Sequence, residues 1–408
     1  MQFLVYEHVS GGGFANDELS PSVLSEGYGM LRSLISDFKT AGHNVTTLLD
    51  SRLKAFNPPI EADNIFLISS SNELNINLRK LSGAFDAVCI IAPESGQTLQ
   101  KLVGLVEASG GLSFNSQIGA IRKASNKMTI FEVLEKRRFI VPETLMIGLD
   151  ENIQHIRSII RDLGFPLVFK PIDGVGCCGL SIIKNESHVA AAVKKIAKES
   201  LSKHFIAQEL IEGINVSASV ISTGEKALSI TLNKQIVTLA SPYEKSSYTG
   251  GFVPFEHVLG DEALKTAQKA VESISGLRGY VGVDMVLTRS GPFVIEVNPR
   301  LTTSYIGLRK AVNFNPAQAM IDAVLRRRLP ENMQRAGYAF FSKVKVPSTC
   351  QIMSETYGLK EIVSPPFPTV VDEPAYALLA TNSDTLENAR TAFYRARRRL
   401  LKLCRSGE

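Results

Sequence analysis

The sequence predicts an α/β fold in which a parallel sheet at the N-terminus precedes a longer region of antiparallel sheet and helix. Three patterns carry this reading. Over the first hundred or so residues, short apolar runs alternate with amphipathic helical stretches, the pattern of a parallel sheet covered on both faces. Residues 165–240 change to closely spaced strands joined by Gly-containing turns, which is antiparallel texture. A helix and a hairpin then follow near residues 261–298. At ~150 residues per domain, 408 residues allow two to three domains and a core that needs no disulfide or metal support.

In chain order, Phe3–Tyr6, Val45–Leu49, Asn64–Ile68 and Ala87–Ala92 are strand-like, and Met30, Leu31, Leu34, Ile35 and Phe38 share one helical face. A helix is expected over Ser125–Arg138, with a break at Pro142. Strands are expected at Pro166–Lys170, Leu180–Ile183, Phe205–Leu210, Asn215–Ser222 and Lys226–Leu232. Asp261–Ile274 reads as a helix, and Tyr280–Leu287 with Pro292–Asn298 as a hairpin around Thr288–Gly291. Helical pattern resumes up to Arg328 and stops before Pro330. The last segment adds strands at Tyr338–Val346 and Ala375–Ala380 and a helix from about Ser383. The expected boundaries are 1–115, 116–330 (divided into 116–212 and 213–330) and 331–408. No internal repeat or low-complexity tract occurs.

Hydrophobic residues at 44% and charged residues at 21% exclude disorder, and the apolar runs fall short of the ~18 residues a bilayer span requires. Met1–His8 has neither a basic n-region nor a cleavage site, so a cytoplasmic protein without membrane contact is expected. Five cysteines without paired C-x-x-C spacing lead to an expectation of reduced thiols. The charge balance is 45 basic against 40 acidic residues, yet Arg395, Arg397, Arg398, Arg399, Lys402 and Arg405 fall within one acid-free stretch. Without these six the balance is 39 against 40. The basic character is local, a solvated helix face is the expectation there, and a nucleic-acid partner is not expected.

The hairpin carries the most chemistry. Glu296 and Asn298 lie two apart and share a strand face, and a turn centred near Ser290 sets Asp284 opposite Glu296. Facing carboxylates repel unless compensated. Two carboxylates and an amide suit Mg²⁺, with water and phosphate filling the other positions; the alternative is an exposed hairpin with solvated acids. Lys170 closes an apolar strand before a loop with Gly174, Gly176 and Gly179. Such a loop either brings backbone N–H groups to phosphate oxygens or forms a plain glycine turn, and it is not a Walker loop. Cys177 and Cys178 are read as small loop residues. Gln208–Gly213 ends a strand where it can link two sheet layers. Gly11–Gly13 follows the first strand and is either a ligand loop or a flexible turn. The six histidines show no metal-ligand spacing.

Taken in order, Lys127, Lys170 with its glycine loop, Gln208–Gly213, Asp284 and Glu296-Val-Asn-Pro-Arg300 resemble the ATP-grasp superfamily of carboxylate-amine ligases, over about residues 115–330. The resemblance implies an N-terminal domain followed by two ATP-grasp subdomains with ATP between them. It implies that Lys127, Lys170 and the loop glycines hold phosphates, and that Gln208, Glu209, Leu210 and Ile211 border the adenine. Asp284, Glu296 and Asn298 would bind Mg²⁺ or Mn²⁺, and Arg300, with Lys170, would assist phosphoryl transfer. Many members carry an acid for the ribose where this chain has Asn215. Tyr6–Gly13, Leu24–Gly27, Met30–Arg32 and Asn298–Arg309 are similar to a narrower group, the tyramine-glutamate ligases of methanofuran biosynthesis and their bacterial relatives. That likeness implies glutamate as carboxyl donor and tyramine or a similar amine as acceptor. On this reading Arg300 or Arg309 supplies the anion site, and Tyr248, Phe252 and Tyr305 the apolar wall. The expected partners are thus small carboxylates and amines, with a homo-oligomer left open. A nicotinamide dehydrogenase built on Gly11–Gly13 and a non-catalytic nucleotide-binding module are the competing readings, and neither explains the Asp284/Glu296 pair.

Overall fold

Strand β1 (Gln2–Glu7) starts a four-stranded sheet in which α1 (Pro21–Thr40), α2 (Ser71–Ser82) and α3 (Thr98–Ala108) alternate with β2 (Asn44–Asp50), β3 (Asn64–Ile68) and β4 (Ala87–Ile91). The order is β3-β2-β1-β4 and every pairing is parallel. Alternation explains the layering: Phe3 and Val5 join the core on one face, while Leu4 and Tyr6 join the core on the other. Helix α1 has Pro21 in its first turn, where a missing N–H costs nothing. It buries Leu24, Leu31, Leu34, Ile35 and Phe38. The computed structural model describes residues 1–172, 177–200, 202–347, 356–370 and 372–405.

The helix expected over Ser125–Arg138 is two helices, α4 (Ile118–Ser125) and α5 (Lys127–Lys136). Asn126 leaves the helical region between them, and its side chain accepts hydrogen bonds from the N–H groups of Met128 and Thr129. This is an N-cap. It sets Lys127 at the start of α5.

Next come β5 (Thr144–Gly148), α6 (Ile153–Ile159), β6 (Leu167–Pro171), β7 (Ser181–Ile183), α7 (Val189–Glu199) and β8 (His204–Glu209). The four strands form an antiparallel sheet ordered β5-β8-β6-β7, packed on α6 and α7 through Ile156, Ile160, Val189 and Ile196.

An eight-stranded antiparallel sheet follows. It takes in β9 (Ile214–Thr223), β10 (Ala227–Thr238), β11 (Ser247–Val253), β12 (Arg278–Thr288) and β13 (Gly291–Asn298), with α8 (Gly260–Glu272) on one face. Beyond α9 (Tyr305–Ala311) and α10 (Pro316–Arg326), β14 (Tyr338–Val346), β15 (Ile362–Ser364) and β16 (Ala375–Ser383) extend the same sheet. The order is β13-β12-β9-β10-β11-β14-β16-β15. The C-terminal strands therefore continue the central sheet through the β11–β14 pairing.

The last helix, α11 (Leu386–Arg405), packs Ala389, Phe393, Ala396 and Leu400 against β14 and β16. Arg395, Arg397, Arg398, Arg399 and Lys402 lie on its exposed side, where Arg399 pairs with Glu361 at 2.6 Å. Cys89, Cys177 and Cys178 are free thiols, whereas Cys404 is disulfide-bonded, against the expectation of reduced thiols. No helix among the described residues is long and apolar enough to cross a membrane.

One core joins the first sheet to the last: Phe3, Leu31, Ile35 and Phe38 pack with Tyr280, Tyr305, Ile306, Phe341 and Leu378. This shared core brings the C-terminal ends of β1 and β4 against the segment that follows β13.

Candidate active site

The β12–β13 hairpin sets Asp284 directly opposite Glu296. It does so through a β-bulge. The turn closes one residue tighter than a centre at Ser290, pairing Thr288 with Gly291 and Met285 with Val294. Ile295 is the extra residue that returns Glu296 to a position facing Asp284. Asp284 accepts hydrogen bonds from Gln235 Nε2 at 2.9 Å and Asn298 Nδ2 at 3.2 Å. Burial, followed by the repulsion of Glu296, pushes its carboxyl up to about 7.

Two lysines, one from α5 and one from β6, meet this pair. Lys127 Nζ donates to Glu296 Oε1 at 2.8 Å. Burial alone would raise Glu296, but the charges of Lys127 and Lys170 outweigh it and hold the carboxyl below its usual range. Lys170, at the buried end of β6, is pushed down to about 8 by burial and by Lys127. Two buried cations and two carboxylates thus converge from α5, β6 and the hairpin. An entering phosphate anion would relieve the lysines, and a cation would relieve the carboxylates.

Gly174 and Gly176 lie outside the described residues. Of the rest of that loop, Cys177 and Gly179 have left-handed backbones, and a Cβ at Gly179 would sit 2.6 Å from the ring of Pro171. The Gly179 N–H donates to Glu199 Oε2 at 2.7 Å. Gln208 is buried and donates to Thr144 Oγ1 at 2.7 Å, while the Glu209 N–H donates to the Glu143 carbonyl. Leu210 and Ile211 then run from β8 to β9 as the link between the two antiparallel sheets. Gly213 is needed on that link because a Cβ would lie 2.3 Å from the Leu287 carbonyl oxygen. Asn215 pairs with Val286, and its carbonyl accepts from Lys234 Nζ at 3.1 Å.

Arg300, just beyond the hairpin, is held by Glu94 at the end of β4, with Nε and Nη2 3.0 and 2.9 Å from Glu94 Oε2. Its Nη1 donates to the Leu301 carbonyl oxygen at 3.1 Å. Burial would lower this guanidinium, but Glu94 more than offsets it.

The next residues correct one expectation. Tyr305 is fully buried and its hydroxyl donates to Asp37 Oδ2 at 2.6 Å, while Arg309 Nε donates to Asp37 Oδ1 at 2.8 Å. Both side chains are spent on fastening α9 to α1, so neither is a substrate wall or an anion site. Gly11–Gly13 resolves as a tight turn. A Cβ at Gly11 would lie 2.4 Å from the Glu7 carbonyl oxygen, one at Gly13 would meet the His8 ring at 2.3 Å, and Gly12 has φ +91.

A divalent metal fits the donors present. Asp284 and Glu296 offer hard oxygens on one face, and Asn298 keeps its amide oxygen free of the bond its nitrogen makes to Asp284. No cluster of three His, Cys, Asp or Glu side chains that could hold a metal occurs among the described residues. Mg²⁺ in this place would rely on two carboxylates, one amide, water and substrate phosphate, its common manner of binding. Three contributors escape the sequence reading. Gln235 steadies Asp284, Glu94 holds Arg300, and Glu26 of α1 pairs with Lys343 of β14 and accepts from Thr303 Oγ1 at 2.9 Å. A polar residue closing a buried strand was a usable signal for Glu94; Gln235 and Glu26 carry none outside their three-dimensional context.

Residues 124–304 match the model of the ATP-grasp domain, and residues 43–121 match that of the pre ATP-grasp 3 domain. The chain belongs to the ATP-grasp ligases. It is 27% identical over 311 residues to the tyramine–L-glutamate ligase of Methanocaldococcus jannaschii, which covers 75% of this chain and 84% of the relative. A putative ATP-grasp superfamily protein from Archaeoglobus fulgidus superposes with a TM-score of 0.64 at 23% identity, over 94% of this chain and 100% of that one. An L-amino acid ligase from Bacillus licheniformis does so with a TM-score of 0.67 at 14% identity, over 97% and 96%. Both structures share the fold. As an ATP-grasp ligase, this chain is an ATP-dependent enzyme of the carboxylate-amine ligase class.

Proposed function

We propose that the enzyme phosphorylates the carboxylate of an amino acid, glutamate first among the candidates, and joins the acyl phosphate to a primary amine such as tyramine. The observation that carries the reading is the convergence of Lys127 and Lys170 with Asp284 and Glu296 where two subdomains meet. Phosphoryl transfer asks little of a protein beyond alignment and neutralisation of charge, and no nucleophilic side chain is needed.

In this reading ATP lies between the sheets of residues 116–212 and 213–330. Lys127 and Lys170 neutralise its phosphates. Gln208, Glu209, Leu210 and Ile211 border the adenine, and Asn215 meets the ribose as a neutral hydrogen-bonding partner. Asp284, Glu296 and Asn298 hold Mg²⁺ or Mn²⁺, which supplies charge neutralisation on the phosphates when bound. Arg300 orients the acceptor oxygen of the carboxylate with the guanidinium protons that Glu94 and Leu301 leave unused. Glutamate and tyramine are supported by the named relative and by the motifs flanking the site.

The test is to incubate enzyme, ATP and Mg²⁺ with glutamate, with and without tyramine, and to follow ADP and the amide product by mass. ADP release that depends on both substrates is expected. If another amino acid or amine is required, the substrate assignment fails and the ligase assignment stands.

A further inference from the structure

An amine reaches an acyl phosphate with a proton too many. A primary alkylamine has a pKa of about 10, so at neutral pH it arrives as an ammonium ion without the lone pair that must form the C–N bond. Some group has to remove that proton before the bond can form. The charges nearest Arg300 offer few choices. Asp284 has both oxygens occupied, by Gln235 and Asn298, and Glu296 is paired with Lys127. Glu7 accepts from the N–H groups of Val9 and Ser10 and from the Ser10 hydroxyl. Glu26 is engaged by Lys343 on one oxygen and Thr303 on the other.

Glu94 differs from all of these. Its Oε2 takes both hydrogen bonds from Arg300, and its Oε1 is buried with no partner, the one carboxylate oxygen in that condition among the described residues. A buried acceptor left open in a native structure calls for an explanation. Glu94 also stands just past the C-terminal end of β4, the edge at which open α/β sheets present groups to ligands.

We propose that Glu94 is the base that receives the proton of the attacking amine, with Oε2 anchored on Arg300 and Oε1 facing the ammonium. This rests on the ligase reading above and adds a catalytic residue to it. The ammonium gives one proton to Glu94 Oε1, and the freed lone pair forms the bond to the acyl carbon. The bond from that carbon to the phosphate oxygen breaks, and phosphate leaves with the electron pair and takes up a second proton from the nitrogen. Glu94 then returns its proton to solvent. Arg300 fixes the carboxylate in place.

The experiment compares two nucleophiles in the wild type and in Glu94→Gln, which retains an oxygen for Arg300 but cannot accept the proton. Hydroxylamine is largely neutral at neutral pH and needs no base. With ATP, Mg²⁺ and glutamate, Glu94→Gln should lose about 10²–10³-fold more in amide formation with tyramine than in hydroxamate formation. A parallel loss of both products would mean that Glu94 only positions Arg300, and an unchanged amide rate would mean that it has no part in the transfer; either result overturns the proposal alone. If the wild type forms neither ADP nor hydroxamate with glutamate or any other amino acid, the ligase reading falls and the proposal with it. Glu94→Asp, which restores a shorter carboxylate, should recover part of the amide rate relative to hydroxamate formation.

Discussion

Lys127 Nζ lies 2.8 Å from Glu296 Oε1, so a lysine read as a phosphate ligand is at the same time the counter-ion of a carboxylate read as a metal ligand. The two roles are linked. Metal arriving at Glu296 frees Lys127 for phosphate, which makes nucleotide and metal mutually supportive. Glu296→Ala removes activity and also the carboxylate to which Lys127 Nζ donates at 2.8 Å, which should cost stability. Thermal unfolding should therefore show a destabilised Glu296→Ala protein, and the double variant Lys127→Met/Glu296→Gln should recover stability without recovering turnover. Equal melting temperatures for Glu296→Ala and wild type would break the link.

Lys170 gives a prediction with a defined sign. Its native pKa, about 8, is below the 10.5 of a free lysine, so below pH 8 the folded protein bears a charge the unfolded chain carries at no cost. The penalty is present in full below that value and fades as pH rises toward the unfolded pKa. Lys170→Met should accordingly be more stable than wild type at neutral pH in the absence of nucleotide, by up to about 3 kcal/mol, and the gap should close on the alkaline side. The same variant should lose on the order of 10²–10³ in rate. Denaturant titrations at neutral and alkaline pH decide the first point; a variant less stable at neutral pH contradicts it.

Asp37, Tyr305 and Arg309 form a fastening between α1 and α9. Asp37→Ala leaves the Arg309 guanidinium and the Tyr305 hydroxyl without their acceptor, which should cost about 3–5 kcal/mol of stability. Arg309→Met should lower the melting temperature while leaving the KM for the carboxylate substrate within two- or three-fold, about 0.6 kcal/mol. A large KM effect with normal stability would return Arg309 to the substrate site.

Gly213 tests the link between the two antiparallel sheets. A Cβ 2.3 Å from the Leu287 carbonyl oxygen requires the link to move away from β12. Gly213→Ala should weaken ATP binding by calorimetry through displacement of Leu210 and Ile211, and Gly260→Ala, where a Cβ meets nothing within 4 Å and the backbone is not left-handed, serves as a control for the substitution itself.

Much of this was legible before any coordinates. Strand alternation places the parallel sheet, the two-residue spacing sets Glu296 and Asn298 on one face, and the position of the turn sets Asp284 opposite Glu296. The turn is tighter than its residues suggest, and the bulge at Ile295 restores the match. A bulge depends on packing against neighbouring strands and leaves no local mark. Tyr305 and Arg309 misled because an aromatic and a cation beside a recognised motif look alike whether they face a ligand or another helix. Glu94 lies 206 residues from Arg300, and no periodicity connects positions that far apart.

The central claim is that a carboxylate oxygen attacks ATP. Glutamate labelled with oxygen-18 in its carboxyl groups, incubated with enzyme, ATP, Mg²⁺ and tyramine, tests it directly, because an acyl phosphate passes one substrate oxygen to the phosphate it releases. One labelled oxygen is expected in each phosphate formed together with the amide. Phosphate released free of label, in step with amide formation, would contradict it.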